Sequence, residues 1–248
     1  MRYILLLISI VVLLGSQMVN AQDAVLSDVH LFQTFLRDAP ISKSIYGEGG
    51  LSYSDFDNAS IFTIGLQGGF PINPKIEIGT NWHFLNINPE IGDSESGLSD
   101  LTVSGRYLIT AENTNISAGA FITLPVGKEE IGQSTFDFGA FGALRHPLNN
   151  GMVITGVIGF DFLEIKTADD SDRETSLLVG GGLIYPATDQ LHILGEFNLQ
   201  TEVDFAMLSG GVDYKLKMGS KIRGMLGLGL DDGAPDFMIM GSFLHFFR

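Results

Sequence analysis

Apolar and polar residues alternate with period two along most of this chain, and three consecutive runs show it most cleanly. In GLSDLTVSGRYLI (97–109), Leu101, Val103, Gly105, Tyr107 and Ile109 alternate with Asp100, Thr102, Ser104, Arg106 and Leu108. In the next run Ile116, Ala118, Ala120, Ile122 and Leu124 share one face, with Ser117, Gly119 and Thr123 on the other. Phe136, Phe138, Ala140, Gly142 and Leu144 are then set against Thr135, Asp137, Gly139 and Arg145. Period two places successive side chains on opposite faces of a strand. These runs are about ten to twelve residues long, whereas strands in water-soluble domains usually have about five or six. Their length is what a tilted strand needs to cross a hydrocarbon layer.

The same reading gives twelve strand-like runs, over 44–54, 60–70, 75–86, 99–109, 115–126, 134–145, 152–162, 175–185, 191–201, 204–216, 221–230 and 236–247. An even number suits a single-chain bacterial barrel. The predicted fold is therefore all-β, an antiparallel up-and-down transmembrane β-barrel of twelve strands over residues 44–248. With both termini periplasmic, the outward connections are acidic, carrying Asp55, Asp57, Glu90, Asp93, Glu95, Glu129, Glu130, Asp169, Asp170, Asp172, Glu174, Asp231 and Asp232. The alternate connections are tight, as at Pro71–Pro74, Glu112–Thr114 and Lys217–Ser220. Short periplasmic turns and longer outer loops are the asymmetry of such barrels. Phe70, Phe84, Phe162, Tyr185, Tyr214, Phe246 and Phe247 fall near strand ends, the pattern of aromatic belts at the two membrane interfaces. A soluble β-sandwich is the main fold alternative.

Two segments precede the barrel. Residues 1–21 read as a signal peptide, with Arg2, the apolar run Ile4–Leu14 and the small-residue site Val19-Asn20-Ala21. Residues 22–43 form a leader in which Val25, Val29, Phe32 and Leu36 recur at helical spacing, with Phe35 beside them, until Pro40. Two readings stay open for it: a short amphipathic helix that plugs the lumen, or a frayed lead into the first strand.

Composition narrows the classes further. Mean hydropathy is +0.24, yet the apolar residues are scattered in alternation, as in a barrel with lipid outside and a wet interior. The 31 glycines allow bends and close backbone approach. With no cysteine there is no disulfide and no thiolate metal site. A net charge of −15 argues against nucleic acid, whose binding needs Lys and Arg on phosphates. No metal or cofactor is predicted: Asp169-Asp170-Ser171-Asp172 lacks the glycine and the terminal glutamate of a calcium loop, and Gly180–Gly182 lies inside a strand pattern.

Parity also assigns the lumen. If Leu101, Val103 and Tyr107 face lipid, then Asp100, Thr102, Ser104 and Arg106 face inward, with Glu77, Asn81, His83, Asp137, Arg145, Asp161, His192, Glu196, Asn198, Asp213 and Arg223. Charges are costly against lipid, so their recurrence on one parity supports the assignment. Glu77, Asn81, His83, Arg106, Asp137, Arg145, Asp161, Glu196 and Arg223 are the candidates for a selective constriction. The plainer reading is that they pair to satisfy a packed interior. Catalysis would need Ser, His and a carboxylate within hydrogen-bond reach. No G-x-S-x-G occurs, and no catalytic residue is assigned.

The words GLSDLTVSGRYLI, AGAFITLPVGKEEIG and STFDFGAFGAL resemble the outer-membrane family named for the meta-pathway of phenol degradation. Its early G-[LF]-[SG]-D strand and later L-P-[TV]-G loop entry are matched at 97–100 and 124–127. The resemblance is clearest from Gly97 to Phe162. It implies an outer-membrane channel for passive uptake of small compounds, hydrophobic or aromatic ones foremost, and does not by itself imply phenol. The last run, DFMIMGSFLHFFR, resembles the C-terminal strand of outer-membrane proteins, whose final aromatic is read by the barrel-assembly machinery; here Arg248 follows Phe247. The expected partners are outer-membrane lipid and lipopolysaccharide, that machinery and a small-molecule solute, and the expected location is the outer membrane of a Gram-negative-type cell. Two competing classes are a lipid-hydrolysing barrel and a structural or surface-binding barrel with a closed lumen.

Overall fold

The structure is a computed structural model that describes residues 26–132, 135–149, 151–166 and 171–247. The predicted signal peptide, Val25, Asp169, Asp170 and Arg248 lie outside the described residues. Alternating sequence becomes strand throughout: β1 (Ile45–Phe56), β2 (Ala59–Asn73), β3 (Ile76–Pro89), β4 (Glu95–Leu98), β5 (Leu101–Ala111), β6 (Asn115–Leu124), β7 (Asp137–Pro147), β8 (Val153–Lys166), β9 (Ser171–Pro186), β10 (Leu191–Gln200), β11 (Phe205–Lys215), β12 (Ser220–Gly229) and β13 (Phe237–Phe247). Neighbours pair antiparallel, and β13 returns to β1, with Ile45 opposite Phe247 and Asp55 opposite Phe237. The sheet is a closed ring with no free edge, so every stave finds backbone partners on both sides, as lipid requires. β4 and β5 both pair with β3 and form two parts of one stave, so the ring has the predicted twelve staves.

The break between β4 and β5 explains why two sequence words travel together. Asn81 is opposite Thr102 but Phe84 is opposite Leu98, so one extra residue is accommodated at Ser99–Asp100 as a bulge. The loop after β6 closes over it. Gly127 N–H donates to Asp100 Oδ1 at 2.9 Å, and Lys128 N–H donates to the Leu98 carbonyl at 2.9 Å. A Cβ on Gly127 would lie 2.6 Å from the Ser99 carbonyl carbon and 2.7 Å from the Leu98 oxygen, so only glycine fits. The words GLSD and LPVG are two halves of this clasp.

Parity governs the two faces as the alternation predicts. Leu66, Tyr107, Ile109, Ile158, Phe160, Leu226 and Leu228 are exposed on the outside, while Glu77, Arg106, Arg145, Asp161, Glu196 and Arg223 are buried on the opposite parity. Among the described residues no helix is long and apolar enough to cross a membrane; apart from β4 the strands run 10 to 16 residues, the length a tilted transmembrane strand needs. Of the aromatic residues near strand ends, Phe70, Phe84, Tyr185, Tyr214 and Phe247 are exposed on the outside of the ring and Phe162 is half-buried. Phe246 is a correction: it shares the inward parity of Leu244 and is buried against Tyr46, Phe35 and Leu36.

Residues 26–44 run inside the ring and form no α-helix, in contrast to the helical reading of their spacing. Their own backbone bonding is sparse, with Val29 N–H on the Leu26 carbonyl (2.8 Å) and Arg37 N–H on that of Thr34 (2.9 Å). The reason lies in where the anchors go. Val29, Leu31 and Phe32 pack on Val153, Ile184, Leu194 and Met225, whereas Phe35 and Leu36 pack on Tyr46, Leu244 and Phe246. Ala39 joins Phe141, Ala143, Val157 and Leu178. A helix offers one apolar stripe to one surface; this segment buries apolar groups against walls on several sides of the lumen.

Candidate functional site

A buried backbone without secondary structure leaves N–H and C=O groups that need partners. Inward-facing charges of the staves supply them. Glu196 accepts from Phe32 N–H at 2.6 Å and Gln33 N–H at 3.0 Å, and Glu77 accepts from Ser42 N–H at 2.7 Å. In return Arg145 donates to the Leu26 carbonyl (3.0 Å) and that of Val29 (2.6 Å), Lys221 to that of Asp28 (2.5 Å) and Arg106 to that of Asp38 (3.3 Å). Arg223 donates to the His30 carbonyl and Ser117 to that of Ala39.

Side-chain ion pairs complete the network. Asp38 of the segment is held by Arg145, with Nε to Oδ1 at 2.9 Å and Nη2 on the other oxygen. Arg37 reaches Asp161 at 2.9 Å and lies over the Phe121 ring at 4.3 Å. Wall residues also pair with one another: Arg106 with Glu77 (2.5 Å), Arg223 with Glu48 (2.7 Å) and Lys221 with Asp213 (3.2 Å). Buried charges are tolerable only when so partnered. Two places depend on a missing side chain: a Cβ on Gly211 would lie 2.5 Å from Phe32 Cε2, and one on Gly79 would lie 2.7 Å from Leu36 Cδ2. His30 is enclosed, stacked 4.2 Å from Tyr46, and neither ring nitrogen has a hydrogen-bond partner among the described residues.

The segment divides the lumen. Towards the longer, acidic connections lies a vestibule of about 660 Å³, floored by Phe32, Gln33, Phe35, Leu36 and Arg37. Towards the tight turns lies a pocket of about 450 Å³ bounded by Leu26, Asp28, Lys43, Lys215 and Lys221. The two share no lining residue. The sequence candidates therefore separate into two groups. Asn81, His83, Asp137 and Asp161 line the vestibule. Glu77, Arg106, Arg145, Glu196 and Arg223 are buried and bonded to the inner segment or to each other.

Glu48, Arg37, Asp38 and Lys221 belong to the same network and were not singled out in the sequence. Glu48 was findable, since it shares the inward parity of Tyr46 and Ser52 on β1. Asp38 and Arg37 carry no such signal, because they lie where no regular period exists. No group of three or more His, Asp or Glu among the described residues is arranged to hold a metal ion. His83 donates its backbone N–H to Ser99 Oγ at 3.1 Å. Ser220 Oγ and His245 Nδ1 lie 2.9 Å apart across β12 and β13, and no carboxylate is hydrogen-bonded to either among the described residues.

This ring, with its two motif words clasped together, can be set beside known proteins. The model of the family described as "Putative MetA-pathway of phenol degradation" matches residues 42–243. The chain belongs to that family. Its structure is similar to that of an outer membrane channel from Pseudomonas putida F1, with a TM-score of 0.67 at 13% identity, over 88% of this chain and 100% of that one. It is also similar to the NanC porin (TM-score 0.58, 9% identity, 83% of this chain and 100% of that chain). A KdgM porin solved with disordered oligogalacturonate gives TM-score 0.58 at 10% identity, over 83% of this chain and 99% of that chain. Comparison with curated proteins found no match. At these identities the likeness establishes the barrel fold.

Proposed function

We propose that this chain is a passive outer-membrane channel for small molecules, closed at its periplasmic end by residues 26–44. The observation that carries this reading is the separation, by one non-helical segment inside a porin-like ring, of a cavity of about 660 Å³ on the side of the acidic connections from a pocket on the side of the tight turns. Family membership and the barrel neighbours support it. The segment acts as a gate because its latch is polar. Each bond from Glu196, Arg145, Lys221 or Glu77 to the segment is one that water can replace. The stave ladder closes without residues 26–44, so the segment can leave and the ring persist. In this reading Asn81, His83, Asp137 and Asp161 meet the solute. Glu77, Arg106, Arg145, Glu196 and Arg223 hold the gate. Small hydrophobic or aromatic compounds are the expected cargo, and the chain reaches the outer membrane after removal of residues 1–21.

Planar-bilayer recording of the refolded chain lacking residues 1–21 tests the proposal. Brief discrete openings, made longer or larger by deleting residues 23–38, are expected. A folded, heat-modifiable barrel that stays silent with and without those residues would overturn it in favour of a barrel with a closed lumen.

A further inference from the structure

The vestibule is unevenly furnished. On β10–β13 its wall carries Phe205, Met207, Met225, Met238 and Met240, four of the chain's eight methionines. Thioether side chains are flexible and polarizable and adapt to apolar guests of varied shape. Within this apolar wall sits Asn198, directly opposite Met207 in the β10–β11 register. Asn198 is 3% exposed and borders the cavity; its Oδ1 lies over Gly180 of β9, and neither Oδ1 nor Nδ2, both shut off from solvent in this rotamer, has a hydrogen-bond partner among the described residues. Gln33 Oε1, on the cavity floor, is likewise unpartnered, while its amide nitrogen is fixed on Ser209 Oγ at 2.6 Å. A buried amide whose oxygen and NH2 group are both idle costs free energy that a matching guest would recover as the Asn198 side chain turns from the wall towards it.

The charged groups around this cavity are engaged. Asp161 is paired with Arg37 at 2.9 Å and accepts from Gln200 at 3.1 Å. Glu48 is paired with Arg223 at 2.7 Å. Asp137 accepts the Glu164 N–H at 2.8 Å. A charged guest would have to lose its hydration or break one of these pairs. The volume, about 660 Å³, is in the range of small-molecule sites.

We infer that the vestibule holds a binding site for an uncharged amphipathic small molecule. Its apolar body lies on the Met207–Met225–Met240 wall, and its head both donates to and accepts from Asn198. The inference rests on the channel reading and adds the site and ligand class to it.

The test is equilibrium binding to the full chain, refolded without residues 1–21 in lipid nanodiscs, by ligand-observed NMR with empty nanodiscs subtracted. The probes share one ring system: 2-naphthamide, 2-naphthoate and 2-naphthyltrimethylammonium. Saturable binding of the amide is expected, with both charged probes at least tenfold weaker. Asn198→Leu, which keeps the bulk and removes the amide, should weaken amide binding about five- to tenfold. Asn198→Gln, which keeps donor and acceptor, should retain most of it. The gel heat-shift of each variant verifies the ring. Absence of saturable binding, equal binding of a charged probe, or an unaltered Asn198→Leu would each overturn the assignment. Binding is read without current, so a silent barrel that binds naphthamide sinks the channel reading alone. A conducting barrel that binds none of the probes sinks this site alone.

Discussion

Replacing Arg145 with leucine should unlatch the inner segment while leaving the ring closed. Arg145 is fully buried, and the side-chain hydrogen bonds it makes among the described residues all run to residues 26–38. They join the Leu26 carbonyl at 3.0 Å, the Val29 carbonyl at 2.6 Å and both oxygens of Asp38. Its loss strands the Asp38 carboxylate, itself 2% exposed, and two carbonyls. Removing one partner of a buried ion pair costs about 3–5 kcal/mol. The lower figure alone shifts the docked-to-released ratio by roughly a hundredfold. The ring's ladder does not pass through this side chain, so the heat-shift on a gel should persist. Two assays read the release: the fraction of time a single channel is open in a planar bilayer, and the rate of tryptic cleavage after Arg37 and Lys43. Both should rise at least tenfold. Arg145→Leu combined with Asp38→Leu should fall back towards the parent, because the stranded charge is gone. Open time and cleavage within twofold of the parent, in an Arg145→Leu barrel that is still heat-modifiable, would refute the latch.

Three further outcomes follow from the same structure. Glu196→Gln keeps the shape but replaces a carboxylate that accepts from Phe32 and Gln33 by a neutral amide with one acceptor. At about 1.5–3 kcal/mol for a charge-assisted bond, exchange of those two amide hydrogens should quicken about tenfold or more. Gly127→Val forces a Cβ to within 2.6 Å of backbone in the GLSD bulge, so the gel heat-shift should occur at a distinctly lower temperature than in the parent. Lys128→Ala, by contrast, should leave that temperature unchanged, although Lys128 sits 2.6 Å from Glu95, because the pair is exposed. The Glu95 hydrogen bond raises the Lys128 ammonium above its ordinary value. What little the pair contributes is thus fully present at neutral pH and is lost as pH climbs from the ordinary lysine value through the raised one, so a pH series of the parent should show no change from this pair between neutral pH and that ordinary value.

Legibility differed sharply between the staves and what they enclose. Each stave reports its own position, because lipid on one side and lumen on the other select residue types at successive positions. Leu101 to Ile109 therefore read as a strand without knowledge of any neighbour, and the buried Ser104 and Arg106 followed from parity. Phe246 was misread because proximity to the strand end was weighed above parity. The bulge at Ser99–Asp100 was invisible as geometry, although its two words were visible as a pattern.

The sequence by itself determined the twelve staves, their alternation and most of the inward charges on them, since these are local consequences of the two-faced environment. It did not determine what those charges do. Residues 26–44 carry apolar spacing that suits a helix in isolation, but their partners lie far away in the chain, as with Phe32 and Glu196, separated by 164 positions. Only closure of the ring brings Glu196, Arg145, Arg223 and Lys221 around one backbone. Once there, their bonds to its N–H and C=O groups replace those a helix would have made. The division of the lumen, and the idle amide of Asn198 above it, were decided by the tertiary structure for that reason.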